Sequence, residues 1–99
     1  MSRSLLERRL SDVAARLKKL REDLRVAQEQ HLHFAEEAED ARLRSLVSET
    51  PLHQRESREA ARAAETMARH REDVAAEIER LERSQDDLLD QMLAAGDGS

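Results

Sequence analysis

Four histidines and a small group of serines are the residues of this sequence whose types could do chemistry. His31 and His33 form its one close histidine pair. A metal held on a helix needs ligands three or four positions apart, so that both point the same way. A spacing of two sends them to different faces. Neither Glu-x-x-His nor His-Glu-x-x-His occurs, because the residues three before the histidines are Gln28, Gln30, Thr50 and Met67. His33 and Glu37 do stand four apart, a pairing common on solvated helices. With no cysteine, disulfides and thiolate metal sites are excluded. The expectation is therefore no metal and no cofactor, with His31 a packing residue.

Ser45, Ser48 and Ser57 lie near His53, the ingredients of a nucleophile beside a base. Such a pair works only with a water-excluding concavity and donors aimed at an oxyanion. Nothing in this chain supplies either, so the serines read as small polar residues easing a tight helix connection. No catalytic residue is assigned and no enzyme is expected. Arg8, Arg9, Arg16, Lys18, Lys19, Arg21 and Arg25 would be the phosphate-binding candidates. They spread around a helix and lack interleaved aromatics in a chain of net charge −5, which argues against nucleic acid and membrane surfaces as partners.

The elements that position these residues follow from composition and period. Of 99 residues, 39% are charged and 1% aromatic, Phe34 being the single aromatic. That leaves too few large side chains for a globular interior, so the core must be a narrow seam within one domain. High charge alone would also suit disorder, but leucines and alanines recur at fixed spacing, which a solvated coil does not require. No apolar run approaches the ~20 residues of a membrane span. Residues 1–13 carry charges within their apolar stretch and lack a signal-peptide core, so a cytoplasmic location is expected. Arginine outnumbers lysine 15 to 2, which points to a high-GC bacterial genome.

Ser48-Glu49-Thr50-Pro51 divides the chain. Proline disfavours helix at the residue before it and suits the first helical position itself, leaving Thr50 as the N-cap. One helix is expected over about 3–48, a turn at 49–50, a second helix over about 51–95, and a flexible tail at 96–99 opened by the stop at Gly96. The first helix carries Leu6, Leu10, Val13, Leu17, Leu20, Leu24, Ala27, His31, Phe34, Ala38, Ala41 and Ser45 at alternating steps of four and three. The second continues with Ala60, Ala64, Met67, Arg71, Val74, Ile78, Leu81, Gln85, Leu88 and Met92. This is the 3.5-residue period of a left-handed coiled coil.

A short connection favours antiparallel neighbours. Folding about residue 49 places Leu10 opposite Leu88, Leu17 opposite Leu81, and Phe34 opposite Ala64, every pair sharing the index sum 98. Charge agrees: residues 1–25 hold eight basic and four acidic side chains, whereas residues 73–92 hold seven acidic against Arg80 and Arg83. Arg71 and Gln85 fall on the seam, where Arg71 would lay its stem along the apolar edge and lead its charge to water. Polar seam residues also penalise other registers. The expected fold is all-α, a two-helix antiparallel coiled-coil hairpin that associates into a four-helix bundle.

A two-helix hairpin covers one side of each helix, so apolar surplus marks a docking surface. Leu43, Leu46, Val47 and Leu52 exceed what the hairpin covers near the turn; Ala61, Ala68, Ala75 and Leu89 widen the second helix's stripe, and Ala14 and Ala35 the first's. The partner-binding residues are accordingly Leu43, Leu46, Val47, Leu52, Ala61, Ala68 and Ala75.

In general character the chain resembles small coiled-coil proteins of actinobacteria. One family of matching fold, the hairpin anti-sigma factors that bind a cyclic dinucleotide, carries the helix motif Glu-x3-Ser-x2-Arg-x3-Gln-x3-Asp. Glu7 and Ser11 fit its opening; Ala14, Lys18 and Glu22 depart from its Arg, Gln and Asp, so the resemblance carries no ligand assignment. The expected function is a non-catalytic interaction module, self-associating as a homodimer or docking on a protein partner. The alternatives are a regulator that responds to a small ligand or sequesters a transcription factor, and a structural spacer in a larger assembly. No residue pattern specifies the ligand.

Overall fold

The computed structural model describes residues 1–97, of which all but a few at the ends and the turn are helical: α1 spans Arg3–Val47 and α2 spans Pro51–Asp97. No strand occurs among the described residues. The Leu5 amide donates to Ser2 Oγ at 3.2 Å, so Ser2 caps α1 by satisfying one of its unpaired amides. At the other end Arg44 lies in the last turn, where its charge complements the helix dipole.

The turn follows the expected logic. The Ser48 amide still donates to the Arg44 carbonyl at 2.9 Å, after which the chain leaves the helix. Thr50 Oγ1 accepts from the His53 amide at 3.1 Å and the Thr50 carbonyl accepts from the Gln54 amide at 3.1 Å, the two bonds of an N-cap. Pro51 is the first residue of α2. The far boundary differs from expectation. Gly96 lies inside α2, and no described glycine has positive φ, so it provides no left-handed cap. A single glycine costs a helix only about 1 kcal/mol, and Gly96 lies beside the Arg3 guanidinium, 3.8 Å from where a Cβ would stand. The rest of the expected tail, Gly98 and Ser99, lies outside the described residues.

Two compact units make up the chain. The terminal unit comprises Met1–Asp23 and the chain from Val74 onward; the turn unit comprises Leu24–Asp73. In the terminal unit Leu6, Leu17 and Leu20 of α1 and Ile78 and Leu88 of α2 are buried, Leu6 and Leu17 to 1% exposure. Leu10, Val13, Val74, Leu81, Gln85 and Met92 are half-buried. The turn unit buries only Ala27 and Ala41, with His31, Phe34, Ala38, Ala60, Ala64, Met67 and Arg71 half-buried. All twenty-two positions of the expected seam are thus withdrawn from water to some degree. Each buried leucine contributes about 1.5–3 kcal/mol, so the terminal unit carries the heavier core.

Within the terminal unit the helices approach at Arg3–Gly96 and at Arg21–Glu82, index sums of 99 and 103. In the turn unit Ala41 and Arg44 share a groove with Glu56 and Ala60. Against the expected sum of 98, the two terminal-unit approaches are displaced by one and by five residues.

Candidate functional site

The turn is where the sequence placed its reactive-looking groups, and the structure gives two of them, Ser45 and His53, structural partners. Ser45 Oγ donates to the Arg42 carbonyl at 2.7 Å. His53 Nδ1 lies 3.0 Å from the Ser48 carbonyl, a hydrogen bond in which the ring donates across the connection. The imidazole therefore binds the carbonyl just past the end of α1, which also accepts the Thr50 amide at 2.8 Å, while the His53 amide is capped by Thr50. His53 and Ser57 are half-buried and extend the four-three rhythm of α2 back from Ala60. Their polar character hid that continuation in the sequence, where an apolar seam is sought.

His31 and His33 part ways as their spacing dictates. His33 is exposed, its Nε2 3.1 Å from Glu37 and its ring edge-on to Phe34 at 5.6 Å. His31 is half-buried, and its Nδ1 is buried without a hydrogen-bond partner. Among the described residues no group of three or more His, Asp or Glu side chains is disposed to hold a metal ion, and no helix is long and apolar enough to cross a membrane.

What remains is apolar surface. Leu43, Leu46 and Val47 recur at steps of three and four on the last turns of α1, hence on one face. They are exposed, Leu46 to 60% and Val47 to 89%, as is Leu52 just beyond the turn. Leu43 and Val47, with Arg44, Ser48 and His53, line a shallow groove of about 310 Å³. Of the flank alanines, Ala61 is exposed and Ala68 half-buried in the turn unit, and Ala75 is half-buried in the terminal unit.

The terminal unit holds a second apolar groove, of about 400 Å³, lined by Arg3, Leu89, Met92, Leu93 and Gly96. Leu93, 69% exposed, was absent from the sequence-based surface. Its signal was available: Leu89, Met92, Leu93 and Gly96 fall at the i, i+3, i+4, i+7 steps of one helix face.

The charged faces are laced by pairs within one helix: Arg3–Glu7, Lys19–Asp23, Arg25–Glu29, Glu39–Arg42 and Glu77–Arg80. Glu39 accepts two hydrogen bonds from Arg42, which hold its carboxyl below the usual carboxylate range and raise the guanidinium in turn. Comparison with family models, curated proteins and solved structures finds no match to this chain.

Proposed function

We propose that this chain is a non-catalytic coiled-coil interaction module, acting by self-association or by docking on a protein partner. The observation that carries the reading is the exposed cluster Leu43, Leu46, Val47 and Leu52 in the turn unit. Four large apolar side chains in water on so polar a chain lose stability unless covered, and covering them is what a partner helix or bundle does. Ala61, Ala68 and Ala75 offer small side chains against which another helix packs closely.

The test combines mass and capture. Light scattering of the purified chain should give a mass above its 11.3 kDa, returned to monomer by Ala68→Glu with Ala75→Glu while helix content persists. Capture from a lysate should recover a protein that Leu46→Glu with Val47→Glu no longer retains. A chain that stays monomeric at every concentration, and captures nothing the variant does not, overturns the reading.

A further inference from the structure

One face of the terminal unit combines exposed apolar side chains with a base on its α1 edge and two acids on its α2 edge. Arg21 and Glu82 meet across the helices and so identify which flanks share this side. On α1 the flank residues are Glu7, Ala14 and Arg21, spaced by seven; on α2 they are Ala75, Glu82, Leu89 and Gly96. One step further outward stand Ser4, Ser11 and Lys18 on α1, and Glu79, Asp86 and Leu93 on α2. Ala14, Ala75, Leu89 and Leu93 are the apolar members of this face, interspersed with Glu7, Arg21 and Glu82, and Leu89 and Leu93 are exposed.

Charge says what covers it. On this face the outer edge of α1 carries the base Lys18 beside Ser4 and Ser11, and the outer edge of α2 carries the acids Glu79 and Asp86. Lys18, Glu79 and Asp86 make no ion pair among the described residues. A face with a basic edge and an acidic edge is self-complementary under a two-fold axis parallel to the helices. That operation sets α1 of one copy against α2 of the other, antiparallel as within the hairpin. A two-fold axis perpendicular to the helices would instead set the Glu79 and Asp86 edge of one copy on the same acidic edge of the other.

We infer that a second copy of this chain covers this face, making a four-helix bundle of terminal units in which α1 packs against the partner's α2. The pairing follows the index sum 97: Lys18 meets Glu79 of the second copy, Ser11 meets its Asp86, and Ser4 meets its Leu93. Two helices of about 23 residues present a strip about 35 Å long and about 20 Å wide, roughly 700 Å². That is near the ~800 Å² per partner of a stable interface. The inference rests on the interaction-module reading and specifies its partner, face and orientation.

The chain has no cysteine, so cysteine cross-linking tests it directly. Lys18→Cys and Glu79→Cys are made separately, both at exposed positions, then mixed and oxidised. The expected product is the 18-to-79 heterodimer, with little 18-to-18 or 79-to-79 product from either variant alone. Leu89→Glu should return the mass to monomer with helix content intact. A dimer that links 18 to 18, or that persists in Leu89→Glu, overturns the inference and leaves the module reading standing. A wild-type chain monomeric at all concentrations overturns it too, and the capture experiment then decides the module reading alone.

Discussion

Arg21 and Glu82 meet across the two helices, a guanidinium nitrogen 3.9 Å from a carboxylate oxygen, with more than half of each side chain in water. The pair marks the direction in which the helices run but is too wet and too long to hold them together. Screened exposed pairs contribute about 0–1 kcal/mol. Arg21→Ala should therefore move the urea midpoint only slightly, by less than about 1 kcal/mol in stability. A loss of several kcal/mol would show that charge, not the seam, supports the terminal unit.

Leu17 should behave in the opposite way. Its side chain is 1% exposed, so truncation leaves a cavity as well as losing burial. Leu17→Ala is expected to cost about 2–5 kcal/mol, whereas Leu46→Ala, at a 60% exposed position, should leave chemical denaturation nearly unchanged. Equal losses at the two sites would mean that Leu46 is already covered, as in a self-associated state.

These contrasts were legible because the four-three rhythm needs nothing but residue type and spacing. Leu6 through Met92 could be assigned to the seam without structure, and so could Thr50 as a cap, since Pro51 leaves few alternatives. Arg71 was assigned there by rhythm against its chemistry, and it is half-buried. What escaped was what depends on the opposing helix. His53 and Ser57 read as polar residues of the connection, yet both are half-buried. Gly96 looks like a stop because glycine commonly ends helices through positive φ, a conformation it does not take here. The turn cluster was visible, but exposed leucines do not name their partner.

Thr50 offers a check on the turn. It accepts the His53 amide at 3.1 Å, a bond alanine cannot make. Thr50→Ala should lower stability by about 1 kcal/mol, and Thr50→Ser should restore most of it. Hydrogen exchange at the His53 amide is the local readout: faster in the alanine variant, near wild type in the serine variant. Unchanged exchange would exclude the cap.

Glu39 gives a pH-dependent signature. The Arg42 hydrogen bonds lower its carboxyl from the ordinary range, and an unfolded chain lacks them. The pair's contribution is thus fully present above the ordinary glutamate range and lost as pH falls through the lowered folded value. The group is fully exposed, so the signature is local. Side-chain NMR should show Glu39 titrating below its ordinary midpoint in the wild type and at it in Arg42→Ala. An Arg42-independent midpoint would rule the interaction out in solution.

His31 carries the most instructive cost in the seam. It occupies a position where the rhythm calls for an apolar side chain, and its Nδ1 is buried with no partner. An unsatisfied buried polar atom costs about 1–3 kcal/mol. Leucine has similar reach, no polar atom, and suits the seam of the turn unit, whose buried residues are only Ala27 and Ala41. His31→Leu should raise the urea midpoint by the equivalent of about 1–2 kcal/mol. His31→Ala should gain less or lose, because it removes the orphan atom but leaves a void. The order Leu above wild type, with Ala below Leu, separates desolvation from packing. A midpoint that falls in the leucine variant would mean that the ring keeps a hydrogen bond through solvent, and the turn unit's seam would then be wetter at this level than its burial implies.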